Sequence, residues 1–183
     1  MTTRFCTAFA AAVFTLLGVT VFPASRCLAS TNILTGSDAD ALGKVIYVII
    51  SLQKEIAEPV NGLTNQPSEL SLHQAACLMQ LYNSLSNINA QLVAAADLVH
   101  LSAIMEDSGD EQKINSFLAG DLPKVLETIA DSRSYSLSQV AVCSSSALVN
   151  TYAQKTAELA DKATAAIMTV SNRVELAQFS HHQ

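Results

Sequence analysis

The chain has 183 residues, of which 50% are hydrophobic and 14% charged, and its acidic residues outnumber its basic residues 16 to 10. This length supports one domain with a sizeable core, and the combination of high hydrophobicity with sparse charge excludes general disorder. The formal net charge of -6 argues against an electrostatic nucleic-acid interface. We therefore expect a folded protein with no nucleic-acid partner.

The first 29 residues have the order that is typical of a secretory signal peptide. Arg4 precedes an uncharged, mostly apolar stretch at 5–22, and small residues surround the expected cleavage site after Ala29. We therefore expect a cleaved leader at 1–29, a periplasmic or secreted protein at 30–183, and no stable membrane span after cleavage. An uncleaved anchor is the alternative, because about 18 uncharged residues reach the lower length limit of a membrane-spanning helix.

Two of the four cysteines, Cys6 and Cys27, lie in the expected leader. Cleavage leaves Cys77 and Cys143, and an even pair in an exported chain predicts one disulfide bond. Two unrelated buried cysteines are the alternative interpretation.

A first helix is predicted after a polar lead, with its N-cap at Asp38 or Asp40 and its end near Glu58. Its apolar residues recur at intervals of three and four: Leu42, Val45, Ile49, Leu52 and Ile56. The β-branched run at 45–50 also fits a buried strand, but about twenty periodic residues exceed the usual strand length. We expect a helix that is apolar on most sides and therefore central.

The second helix is predicted to be long, reaching about Glu106. Ser68 or Ser71 is its expected N-cap, and Gln74 stands three residues after Ser71 in capping-box spacing. Heptad spacing then marks one continuous apolar seam: Leu78, Leu81, Leu85, Ile88, Leu92, Ala95 and Val99.

The third helix is expected to be interrupted at 120–123, where Gly-Asp-Leu-Pro resembles a helix end followed by a new start. It is predicted to finish near Asp131. A serine-rich turn at 132–136 follows, and Ser136 with Gln139 predicts the cap of a long fourth helix. The stripe of that helix is imperfect and runs through Leu137, Val140, Ser144, Leu148, Thr151, Lys155, Leu159, Ala163, Ala166, Val170 and Val174.

Short connections between four helices predict an all-α, up-down-up-down four-helix bundle with long second and fourth helices and flexible ends at 30–37 and 179–183. In that arrangement the second and fourth helices run parallel. Cys77 and Cys143 would then lie at similar heights near one end of the bundle, which is compatible with a disulfide.

Motifs for catalysis, phosphate binding or a stable metal centre are not found in the sequence, so we expect no enzyme activity and no cofactor. Asp97-x-x-His100 and Glu69-x-x-x-His73 are the nearest approaches to a carboxylate-histidine metal motif, and neither is repeated on another helix. We interpret Asp97 and His100 as a solvated pair.

The function expected from these features is non-catalytic: binding of a protein partner, or structural support, outside the cytoplasm. The distal half of the fourth helix is the predicted partner surface, around Val170, Val174, Leu176 and Phe179. One alternative is a carrier that holds an apolar small molecule or lipid between its helices. The other is a metal-binding bundle whose site the sequence does not reveal.

Overall fold

The computed structural model describes residues 33–62, 71–105, 108–143 and 145–180, and the predicted leader at 1–29 lies outside these ranges. The described residues form four helices and no strand. The helices are α1 (Gly36–Gly62), α2 (Leu72–Ile104), α3 (Ser108–Val142) and α4 (Ala147–Ser180). The all-helical prediction is therefore confirmed, and the β-branched run at 45–50 is helical. The third helix, with 35 residues, is as long as the second and fourth, which have 33 and 34.

The start and the apolar seam of α2 agree with the sequence prediction. Ser71 Oγ accepts the N–H of Gln74 at 3.2 Å, and Gln74 Oε1 accepts the N–H of Ser71 at 2.8 Å, which completes the capping box. Every predicted seam residue is buried: Leu78, Leu81, Leu85, Ile88, Leu92, Ala95 and Val99. The seam is buried because α2 packs against all three of the other helices.

The prediction that α1 is central is wrong. α1 packs against α2 and α4, and among the described helices only α1 and α3 make no mutual packing contact. α1 therefore lies at the outside of the α2–α4 pair. Its buried face is the predicted one, but Tyr47 is 75% exposed and Val48 is 45% exposed. The apolar run surrounds the whole helix, and two neighbours are too few to cover it.

The residues before α1 are packed, although a flexible lead was expected up to residue 37. Leu34 is fully buried, and the N–H of Ile33 donates to Glu111 Oε1 at 3.3 Å. Asp38 Oδ2 accepts both the N–H and the hydroxyl of Thr35, at 2.8 and 2.9 Å. Asp38 is therefore the third residue of α1, and its carboxylate accepts hydrogen bonds from Thr35, the residue before the helix. It does not serve as the N-cap.

The predicted interruption of the third helix at 120–123 does not occur, since α3 continues through Gly120 and Pro123. Buried residues recur every three or four positions along it: Leu118, Leu122, Val125, Ile129, Ser132, Ser136 and Gln139. This stripe holds the helix together past Pro123, whose ring lies on the exposed side. The serines that suggested a turn lie within α3, and Ser136 Oγ donates to the carbonyl of Ser132 at 2.8 Å.

Replacing Pro123 by alanine should stabilise the protein. We expect P123A to raise the free energy of unfolding by about 1–3 kcal/mol, because alanine restores a helical N–H and removes the ring from the preceding turn. Urea denaturation measures the change. The neighbouring exposed substitution E127A is the control, with an expected change within about 0.5 kcal/mol. A less stable P123A protein would show that the ring contributes to packing.

α4 begins later than predicted because α3 extends to Val142. The new helix is capped by Ser146, whose Oγ accepts the N–H of Val149 at 3.3 Å. The predicted stripe is wrong in the first half of α4, where Val149 is buried and Leu148 is 40% exposed, and correct for the buried Leu159 and Ala163. The turn at 143–146 resets the helical phase, so a periodicity carried across it selects the wrong face.

Two charged pairs connect α1 to α4. Arg173 donates to the buried carboxylate of Asp38 at 3.0 Å, and Lys155 donates to Glu55 at 2.9 Å. The hydrogen bond to Glu55 raises the pKa of Lys155. The side chains of Lys155 and Glu55 are each about half exposed, so this pair adds little stability. Among the described helices, none combines the length and hydropathy needed to cross a membrane.

Candidate functional site

Cys77 and Cys143 lie together, as the predicted pairing requires. Cys77 is in the second turn of α2 and Cys143 directly follows α3. Their Sγ atoms are at disulfide distance, and their Cα atoms are 6.9 Å apart. The predicted position of Cys143 on the fourth helix is wrong, however, because the sequence placed the α3–α4 boundary too early. The pair joins consecutive helices instead of the second and fourth.

The turn after α3 fixes the position of Cys143. The N–H of Cys143 donates to the carbonyl of Gln139 at 2.9 Å, and the carbonyl of Cys143 accepts the N–H of Ser146 at 3.0 Å. Cys77 is fixed by the capping box that sets the first turns of α2. Both sulfur-bearing residues are buried, with exposed fractions of 3% and 2%. The two backbones therefore hold the sulfurs in a defined, largely dry position.

His73 is the third member of this site. It precedes Cys77 by four residues, so both lie on the same face of α2. His73 Nε2 is 3.7 Å from Cys143 Sγ, within hydrogen-bonding distance of a sulfur. The ligating atoms of His73, Cys77 and Cys143 all lie within 4.8 Å of one another. We call these three residues the Cys–His cluster. His73 is exposed, which gives the cluster an opening to solvent.

Sequence reasoning missed the Cys–His cluster because it paired His73 with Glu69, a residue outside the described ranges. The available signal was the spacing His-x-x-x-Cys at the start of the predicted second helix, which places both side chains on one face. Among the described residues, no other group of three His, Cys, Asp or Glu side chains converges in this way.

The predicted partner surface on the distal half of α4 is not an exposed apolar patch. Val170 and Val174 are buried in the core, and Leu176 is 69% exposed. The structure does not describe the side chain of Phe179. The two valines are buried because they continue the inward stripe of Ala163 and Ile167, so they have no surface to offer a partner.

A surface groove of about 620 Å³ lies between α1 and α2, and we call it the α1–α2 groove. Small residues form part of its lining, and Tyr47 and Val48 stand beside them. Charged and titratable groups also line it. The lining residues are Ala39, Asp40, Gly43, Lys44, Tyr47, Val48, Ala96, Asp97 and His100. Asp97 and His100 are both exposed, as the sequence predicted, and they contribute to the wall of this groove.

These two features, the Cys–His cluster and the α1–α2 groove, are the candidate functional sites of the described residues. Comparison with protein-family models, with curated proteins and with solved structures finds no match to this chain.

Proposed function

We propose that the protein is exported by cleavage of a signal peptide at 1–29 and acts outside the cytoplasm as a non-catalytic bundle that binds another protein. The order of basic, apolar and small residues in the leader supports export. The disulfide-distance pair Cys77–Cys143 supports an oxidising compartment such as the periplasm or the extracellular space.

We also propose that the four helices follow an up-down-up-down order. Asp38 at the start of α1 pairs with Arg173 late in α4, whereas Glu55 later in α1 pairs with Lys155 early in α4. Opposite ends of α1 therefore meet opposite ends of α4, as in antiparallel helices. The same argument applies to α2 and α3, which are joined by Ser102–Asn115 at one end and by the cysteines at the other.

The observation that carries the binding proposal is the exposed apolar side of α1. Tyr47 and Val48 are 75% and 45% exposed, and both line the α1–α2 groove together with small residues of the two helices. Interfaces between proteins favour a central aromatic residue surrounded by a polar rim. Asp40, Lys44 and Asp97 supply that rim around Tyr47.

The chemistry of the groove favours an amphipathic helix as the binding segment of the partner. A groove between two neighbouring helices that is lined by small residues can accept the apolar side chains of a third helix. The groove lining has two acidic groups, Asp40 and Asp97, and one lysine, Lys44, and the whole chain is acidic. We therefore expect basic residues beside the apolar face of the partner helix.

Site-specific photo-crosslinking tests this proposal. A photoreactive phenylalanine replaces Tyr47 in the full chain, and irradiation of the exported fraction should produce one discrete adduct whose second component is a different protein. The matched control carries the same residue at Phe117, which is 56% exposed and lies on α3, the helix that does not contact α1. We expect an adduct yield at least about tenfold higher at position 47, as expected for a specific interface.

Equal yields at the two positions, or no adduct at position 47, would contradict the proposal. An adduct of twice the protein's own mass would contradict it as well, because the occupant of the groove would then be a second copy of this chain.

A further inference from the structure

We propose that the Cys–His cluster has a second state in which reduced Cys77 and Cys143, together with His73, bind one Zn²⁺ ion. This inference does not depend on partner binding at the α1–α2 groove, which shares no residue with the Cys–His cluster. Two thiolates and an imidazole are ligands that zinc prefers, and a site with three protein ligands leaves the fourth position to water.

The distances fit a tetrahedral ion. Zinc bonds of about 2.3 Å to sulfur and about 2.0 Å to nitrogen place a sulfur and a nitrogen ligand roughly 3.5 Å apart. His73 Nε2 is already 3.7 Å from Cys143 Sγ. The same geometry requires about 3.8 Å between the two sulfurs. The Cα atoms of Cys77 and Cys143, 6.9 Å apart, allow that separation through side-chain rotation, without displacement of the helices.

The surroundings of the cluster also suit an exchangeable ion. The sulfurs are nearly dry, which strengthens their attraction for a cation, while exposed His73 leaves a path from solvent. Two of the three ligands come from one face of α2 at a spacing of four residues. The third comes from the hydrogen-bonded turn after α3. The backbones that carry the three ligands are therefore fixed before the ion arrives, and rotation of the cysteine side chains completes the site.

The disulfide and the zinc-bound form exclude each other, because both use the same two sulfur atoms. A dithiol reductant supplies two electrons and two protons, which cleave the Cys77–Cys143 bond, and the reductant leaves as its own disulfide. Zn²⁺ then displaces the two thiol protons to solvent and forms two S–Zn bonds. Neutral His73 donates its Nε2 lone pair and keeps the proton on Nδ1. Oxidation of the cysteines reverses the process and releases the ion.

Zinc titration of the full chain tests this inference. We expect the reduced, metal-free protein to take one equivalent of Zn²⁺ from a chromophoric chelator, and the oxidised protein to take none. Co²⁺ in place of Zn²⁺ should give the sulfur-to-cobalt charge-transfer band of thiolate ligation and the visible absorption of a tetrahedral ion.

The decisive variant is H73Q, because it keeps both cysteines and can be purified in the oxidised form before reduction. Loss of one direct ligand should weaken zinc binding about 100-fold or more, since even loss of an outer partner weakens metal sites 10- to 100-fold. H100Q is the matched control, a histidine on the same helix outside the cluster, and its affinity should equal that of the wild type. Circular dichroism verifies that each reduced protein is still helical.

Failure of the reduced wild type to bind one equivalent would overturn the inference. Equal zinc affinity of H73Q and the wild type would overturn it too, because the cysteines alone would then account for binding. Neither result bears on photo-crosslinking at Tyr47, so the two proposals fail separately.

Discussion

Replacing both cysteines by serine, as C77S/C143S, should lower the free energy of unfolding by about 4 kcal/mol relative to the oxidised wild type. The cysteines are 66 residues apart, and a bridge over a loop of this length restricts the unfolded chain by about that amount in the chain-entropy model. The loss should appear as a melting temperature roughly 10 °C lower. Guanidinium denaturation measures the free energy of unfolding of each protein. A chelator is added so that no metal ion stabilises a protein with reduced cysteines.

The wild type treated with a reductant in the presence of the chelator should match the double variant. H73Q is the control for local packing: it keeps the disulfide, and we expect its free energy of unfolding to change by less than about 1 kcal/mol, because His73 is exposed. Equal stabilities for oxidised wild type and C77S/C143S would show that the bridge does not constrain the unfolded chain.

L85A should lower the free energy of unfolding by about 3 kcal/mol. Leu85 is fully buried near the middle of α2, which packs against each of the three other helices. Truncation to alanine loses the transfer free energy of the side chain and leaves a cavity that rigid helices cannot close, which together amount to about 2–5 kcal/mol. Urea denaturation followed by circular dichroism measures the change.

L101A is the matched control for L85A, because it makes the same substitution on the same helix at a side chain that is 42% exposed. Its expected effect is about 1 kcal/mol or less. If the two variants lose equal stability, α2 is not buried along the predicted seam, and the central position of this helix would be contradicted.

The sequence predicted α2 in detail because local and tertiary preferences agree there. Ser71 and Gln74 satisfy each other's backbone N–H groups, which needs no other part of the chain. The heptad seam that follows is strictly apolar and is buried throughout. The capping box fixes where α2 starts, and the apolar periodicity fixes which face is buried. Both signals lie within the helix and agree with the fold, so the local sequence is enough to predict them.

The boundary between α3 and α4 shows the opposite case. Gly120, Pro123 and the serines at 132–136 are local signals for a break, and all of them are overridden by a stripe that packs against α2 and α4. Ser132 and Ser136 fill inward positions, and the hydroxyl of Ser136 donates to the backbone carbonyl of Ser132. A serine at an inward position cannot be told from a serine in a turn until the neighbouring helices are in place.

Periodicity and capping in the amino-acid sequence alone predicted that the described residues are helical and which face of α2 is buried. The sequence also predicted Cys77 and Cys143 as partners, because the other two cysteines lie in the expected leader. Only the tertiary structure decided that α1 lies outside, that Val170 and Val174 are internal, and that His73 meets Cys143. These properties depend on which helices become neighbours, and the free energy of that choice is distributed over contacts between residues far apart in the chain.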